Sequence, residues 1–390
     1  MKSIHRMSLF CPALLAGVIV AGLTAEPASA IPGFARKYKV ECSNCHSAMP
    51  YLNANGRAFK EAGYRLVDSH GKIDKSMEST ERVSDSQSLE KYFPIGARFK
   101  GYVYNKVEGD DGQLRPAHEI EIMAAGNLWE TGSFFVELEG EDEGDFVTEA
   151  VGNFGWHPSR QANIVMGYGP IFQTDPYNSL RNDRRTTATH KAPLNYGNSQ
   201  SARFRNDAEF ANFYGRVGSF FYEASYSGGN GNPEGDNPRD YLGRLAFDFT
   251  PDIMIGGLYY VATRDRSEGE LDITRTGFDF NLDLGNFFAS GMYMTSKEEP
   301  PGVASQTNDS AYLELFYTAR KGERPLVVPL IRYDWTESNN GLDTTSVVTA
   351  QVNTYPIQNV RLALEYSQEV DTPSDREKSD RIVLMADVNF

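Results

Sequence analysis

Two thiols and an imidazole stand within five residues of one another, in Cys42-Ser43-Asn44-Cys45-His46. Sulfurs at this spacing suit thioethers to the two vinyl groups of one porphyrin, and the adjoining histidine reaches the iron. A Cys-x-x-Cys-His run is therefore the attachment pattern of a c-type haem. The chain has three cysteines, and Cys11 lies in a segment expected to be removed, which leaves the two that such a haem needs. A zinc half-site would need further ligands from a mature chain with no other cysteine. A redox Cys-x-x-Cys pair would be expected beside a βαβ unit, which the pattern lacks. The expected cofactor is one covalently attached haem c on Cys42, Cys45 and His46.

The iron's second axial ligand stays open. Met49 follows His46 too closely to reach the opposite face of the ring. His70 and Met77 are the nearest candidates, while His118, His157 and His190 lie farther along and would ligate only from within the second region described below. A methionine would raise the iron's potential, whereas a second histidine is expected to lower it. No acid–base pair marks the neighbourhood, so no catalytic residue is assigned.

The segment before the motif reads as an export leader. Lys2, His5 and Arg6 precede an apolar run from Leu9 to Leu23, and Ala28-Ser29-Ala30 is a small-x-small cleavage site, placing the cut after Ala30. The run contains Pro12 and falls short of the ~20 residues that a membrane-spanning helix needs. Export suits covalent haem attachment and a chain otherwise free of cysteine. The net charge of −15, one unit more negative without the leader, excludes a nucleic-acid partner and favours cations.

Short helices should position the motif. Leu52–Ala62 is expected to be helical, capped by Asn53 or Asn55 and stopped by Gly63, with Phe34, Leu52, Phe59, Tyr64 and Leu66 as candidates for packing on the haem. After Ile95 the texture turns period-two. Phe278, Phe280, Leu282 and Leu284 share one face while Asp279, Asn281 and Asp283 share the other. The same alternation defines strands at 96–107, 117–126, 132–141, 147–155, 161–169, 208–216, 219–227, 240–249, 253–263, 274–283, 287–296, 310–319, 325–335, 345–354, 358–368 and 380–389. Most have the ~9–11 residues that a tilted strand uses to cross a bilayer. Short turns and longer loops tend to alternate, and the strand number is even, as in an outer-membrane barrel. The expected fold is thus mainly β: a 16-stranded antiparallel transmembrane β-barrel with a small N-terminal α-helical c-type haem domain. The expected division is leader 1–30, monohaem domain 31–80, linker 81–95 and barrel 96–390. Tyr102, Tyr104, Tyr168, Phe172, Tyr259, Tyr260 and Tyr293 are candidates for interfacial girdles.

One connection, Pro170 to about Asn206, is far longer than the rest and carries Arg181, Arg184, Arg185, Lys191, Arg203 and Arg205. Its position resembles the third outer loop of sixteen-stranded porins, which folds into the lumen. Acidic residues Glu139, Glu141, Asp142, Glu143 and Asp145 form a patch expected on a loop, where they would concentrate ferrous iron, although charged runs are most often simply solvated.

Ile31-Pro32-Gly33-Phe34-Ala35-Arg36, then Cys42-x-x-Cys45-His46, then Gly56-Arg57-x-Phe59-Lys60-x-x-Gly63-Tyr64, followed by strands ending in Phe390, resembles the fused outer-membrane cytochrome–porins of iron-oxidising bacteria. The motif likeness covers 31–66, with Asn55 and Met49 departing from the family's usual residues. The resemblance implies a monohaem plug in a porin of a Gram-negative outer membrane, on the periplasmic side or in the lumen. Electrons would pass from extracellular Fe(II), or another one-electron donor, to a periplasmic c-type cytochrome, making the protein an electron carrier or at most an Fe(II):cytochrome c oxidoreductase. Outer-membrane lipid is the remaining partner. Two rivals share the architecture: outward electron transfer to an extracellular acceptor, and a selective porin whose haem is a structural or sensory plug.

Overall fold

The computed structural model describes residues 33–67, 94–107, 112–142, 149–180, 186–187, 207–228, 240–266, 269–374 and 376–389. Among these no helix is long and apolar enough to cross a membrane. Residues 81–93 of the expected linker and the expected ligands His70 and Met77 lie outside the described residues, as do His190 and the six basic residues of the long connection, while Ile95, expected to end the linker, already opens the first barrel strand.

The N-terminal unit has helix α1 (Gly33–Tyr38), a 3-10 turn (Cys42–Asn44), a hairpin of β1 (His46–Ala48) and β2 (Tyr51–Leu52), and helix α2 (Ala54–Glu61). Helix α2 starts where expected, because the Asn53 side chain accepts a hydrogen bond from Gly56 N at 3.0 Å. It ends at Gly63, whose φ of +63° is a conformation that glycine adopts without penalty. Phe34, Tyr38, Phe59 and Tyr64 close the unit's small interior, with Phe34 edge-on to Phe59 at 4.9 Å and stacked on Tyr64 at 5.2 Å.

The remainder is one closed antiparallel barrel. Its segments are β3 (Ile95–Val107), β4 (Gln113–Asn127), β5 (Gly132–Glu141), β6 (Glu149–Trp156), β7 (Asn163–Pro170), β8 (Asp207–Val217), β9 (Phe220–Ser227), β10 (Asp240–Thr250), β11 (Ile253–Arg266), β12 (Gly269–Leu284), β13 (Phe287–Glu299), β14 (Gln306–Tyr317), β15 (Ala319–Lys321), β16 (Arg324–Ser338), β17 (Asp343–Ile357), β18 (Val360–Asp371) and β19 (Asp380–Asn389). Successive stretches of β16 pair with β14 and with the short β15, so these two form one interrupted stave and the barrel has sixteen. Each expected strand overlaps one stave. β19 pairs with β3 and closes the ring, which leaves no sheet edge unpaired.

Alternation sets an inside and an outside. On β12 the apolar Phe278 and Leu284 are exposed outward, whereas Asp279, Asn281 and Asp283 are buried within. Trp129, Trp156, Phe220, Phe249, Phe287 and Tyr317 are exposed near the short turns, and Tyr168, Tyr226, Tyr241, Tyr293 and Tyr366 are exposed farther up the wall. An apolar exterior with aromatic residues towards both rims is the pattern of a barrel solvated by lipid. Of the expected girdle residues, Tyr168, Tyr259 and Tyr293 face outward. Tyr102 and Tyr260 instead point inside, buried to 4 and 1% exposure, because strand parity and not residue type decides the face, and Phe172 is buried inside because it lies on the connection after β7.

The interior is filled. Ile171, Phe172 and Leu180 of the long connection pack against Leu242, Tyr260, Ile273 and Met294 on the inner wall. Arg244 on β10 ties this loop down, reaching Asp175 of the loop at 3.1 Å and Asp279 of β12 at 2.8 Å. The described start of the long connection thus lies inside the barrel, as its position suggested.

Candidate functional site

The haem motif sits at the end of the barrel that carries the short turns, and a few backbone contacts hold its shape. The Asn53 amide reaches Ser43 O at 3.1 Å and its backbone N reaches Cys45 O at 3.0 Å. One asparagine therefore caps α2 and fixes the motif beneath it. Helix α2 lies so close that a Cβ on Gly56 would stand 2.1 Å from Cys45 O.

The unit is docked into the barrel as a plug. Arg216 on β8 forks onto the Glu61 carboxylate at 2.6 and 2.8 Å, a bidentate pairing that fixes orientation as well as distance. Lys60 donates to Asp175 O at 2.6 Å and to Asn178 at 3.0 Å, both in the inward loop. Arg65 is buried and donates to the carbonyls of Trp129 and Gly132 at 2.9 and 2.7 Å. Tyr355 donates to Met49 O at 2.7 Å, Arg320 to Ser47 O at 2.7 Å, and Tyr51 to Glu314 at 3.1 Å.

Between plug and wall lies a cavity of about 400 Å³, within the ~300–1,000 Å³ typical of small-ligand sites. Cys42, Cys45 and His46 all line it, so the three expected ligands are brought together. Phe34, Leu52, Phe59, Tyr64 and Leu66 line it too, as expected of haem-packing residues. The opposite wall is barrel, including Met123 and Ala125 on β4, Arg98 on β3 and Asp387 on β19. Arg98 holds Asp387 at 2.9 Å and Glu121 at 2.7 Å, and Arg361 also reaches Asp387 at 2.8 Å.

The residues present fit a covalently tethered haem. His46 is half-buried, with its Nδ1 atom fully covered and without a hydrogen-bond partner. Desolvation holds its pKa below the ordinary value, which favours the neutral imidazole that iron requires. Burial pushes the Cys42 thiol up to about 11 and raises Cys45 as well. Such thiols lack the thiolate character of a reactive redox pair. The groups of metal-ligating side chains found among the described residues do not include either cysteine.

His118 and His157 lie apart from the cavity. His157, in the β6–β7 turn, bonds Ser133 at 2.7 Å and Asn163 at 3.3 Å, and its ring abuts Gly63 of the plug. Desolvation, with the nearby Arg65 charge, lowers its pKa to about 4. His118 stacks on Tyr102 and bonds Asp142 at 3.0 Å.

One feature was not read from the sequence. Glu139 and Glu141 are strand residues of β5 on the lumen side, not loop residues, and they stand opposite Glu121 and Glu119 of β4. Ligand atoms of His118, Glu119 and Glu141 fall within 4.8 Å of one another. The signal was present as alternate acidic positions in 117–126 and 132–141, but only strand pairing sets the two rows face to face. Glu143 and Asp145 lie outside the described residues.

No protein-family model matches the chain, and no curated protein matches it significantly. Solved structures do share its fold. An anion-selective porin from Comamonas acidovorans superposes with a TM-score of 0.59 at 13% identity, over 76% of this chain and 98% of that one. OmpT, an outer membrane protein of Vibrio cholerae, gives 0.55 at 13% identity, over 76% and 99%. The outer membrane channel DcaP of Acinetobacter baumannii gives 0.55 at 11% identity, over 76% and 97%. At these identities the likeness is one of fold, and the barrel of this chain has the porin architecture.

Proposed function

We propose that the chain is an outer-membrane electron conduit in which one c-type haem, held by the plug, links an extracellular electron donor to a periplasmic c-type cytochrome. The observation that carries this reading is the single cavity wall shared by Cys42, Cys45, His46 and the inner face of the barrel. A haem bound there would supply a one-electron couple. Cys42 and Cys45 would anchor it, His46 would ligate the iron, and the Phe34, Phe59 and Tyr64 rings would exclude water. A single haem cannot touch both faces of a ~25 Å apolar band, so one seated between plug and inner wall would have to be met directly from the short-turn end and through the lumen from the other.

The donor we favour is a cation, Fe(II). The lumen faces of β4 and β5 bring the carboxylates of Glu119, Glu121, Glu137, Glu139 and Glu141 together, with Arg98 and Lys100 paired to Glu119 and Arg98 also to Glu121. A net acidic wall raises the local concentration of cations. The porin fold of the neighbours favours a second reading, a selective channel with a structural or sensory haem. Against free passage stands the inward loop, whose Ile171, Phe172 and Leu180 are buried against the wall.

Purified protein in liposomes loaded with an electron acceptor separates the readings. External Fe(II) should reduce the internal acceptor, and small sugars should pass poorly. Ready sugar flux with a haem that external donors leave oxidised would establish the channel instead. A haem potential above that of the periplasmic cytochromes would instead favour outward flow, from them through the haem to an extracellular acceptor.

A further inference from the structure

The plug supplies one iron ligand, and the wall facing it offers a second. Seven methionines are described, and six have an evident place. Met254 packs with Tyr214 and Phe221, Met292 and Met294 lie in the core beneath the inward loop, and Met385 packs against Tyr102 and Val383. Met166 faces outward at 56% exposure. Met49 lines the cavity too, but it packs on the cluster formed by Ala48, Tyr51 and Phe316, on the plug's own side and three residues from His46.

Met123 has no such place. It is half-buried, points into the lumen from β4 and lines the cavity with Cys42, Cys45 and His46. Its directly opposed cross-strand neighbours are Gly96 on β3 and Glu137 on β5, neither of them an apolar side chain, and Phe135 of β5 lines the same cavity one step along. Along β4 it interrupts a lumen row that otherwise runs through Glu119 and Glu121. A flexible, soft sulfur in that setting suits a soft metal partner. Of the described histidines, only His46 lines the cavity.

We propose that the Met123 thioether, delivered by the barrel wall, is the axial ligand opposite His46. The proposal rests on the haem reading above. Its consequence is that the iron joins plug to barrel through one bond from each. A methionine ligand raises the iron's potential, which suits a donor such as Fe(II) that gives up its electron reluctantly.

The test is absorbance and redox titration of purified full-length Met123→Leu and Met123→His, beside Met49→Leu and Met77→Leu. Met123→Leu should keep its covalent haem, lose the weak red band of thioether-to-ferric-iron charge transfer, and titrate at a lower potential. Met123→His should give a six-coordinate spectrum of two imidazoles, also at lower potential. Where the leucine variant accumulates poorly, the histidine variant decides. An unaltered methionine band in either Met123 variant, or its loss in Met77→Leu or Met49→Leu, would overturn the assignment. An unsubstituted protein with covalent haem but no such band would overturn it as well. An unsubstituted protein without covalent haem would sink the parent reading instead.

Discussion

Plug and barrel solve the same folding problem by opposite means. Each barrel strand finds its hydrogen-bond partners in neighbouring strands, and β3 meets β19 to complete the ring, so the cylinder satisfies its own backbone. The described part of the plug has two short helices and a hairpin, too little regular structure to enclose a large core of its own. Its polar side chains reach outward to the barrel and its inward loop: Lys60 and Arg65 donate to the carbonyls of Asp175 and Trp129, and the Glu61 carboxylate accepts from Arg216. One region is autonomous, and the other is conditional on its surroundings.

The sharpest way to break that contrast is to remove the tether. Cys42→Ala with Cys45→Ala should abolish covalent haem entirely, as read by haem staining of the outer-membrane fraction. The barrel should still form, as read by its heat-dependent gel mobility. A barrel that failed to assemble without the thiols would show that its autonomy is illusory. Next in size is the pairing of Arg216 with Glu61. Breaking a buried pair from one side costs about 3–5 kcal/mol, so Arg216→Ala should expose α2 to proteases while the barrel resists them. Protection equal to that of the unsubstituted chain would show that the fork is not what seats the plug.

His157 makes the docking pH-dependent. Its folded pKa of about 4 lies below the ~6.5 of an unfolded histidine. Between those values the unfolded chain holds a proton that the folded chain does not. Stability is therefore complete above pH 6.5 and falls as pH drops towards 4, by at most about 3 kcal/mol. Thermal melts of the unsubstituted protein against His157→Gln should diverge in that window, and parallel melts would remove His157 as the cause. The smallest effect belongs to Asn53→Ala, which deletes the α2 cap for about 1 kcal/mol. It should loosen the motif as well as the helix, visible as faster hydrogen exchange at both Cys45 and Gly56.

What the sequence discloses divides along the same line. The strands were legible because alternation such as Phe278-Asp279-Phe280-Asn281 is local, and so was the Asn53 start of α2. The side each residue faces was less legible: Tyr102 and Tyr260 look like girdle residues, yet parity turns them inward. The inner wall escaped notice because Leu242, Ile273 and Met294 come from different strands and meet only when the sheet curls. The cavity was half-readable. Phe34, Phe59 and Tyr64 announced themselves beside the motif, whereas Met123 and Asp387 reach it from opposite ends of the barrel sequence.

The order of events during assembly follows from where the ring closes. Gly96 and Arg98 on the first strand, and Asp387 and Asn389 on the last, border the cavity directly, and Arg98 clasps Asp387 across that junction. The chamber has no rear wall until the chain's final stave zips to its first. A haem held there would be walled in on that side only once this seam has formed.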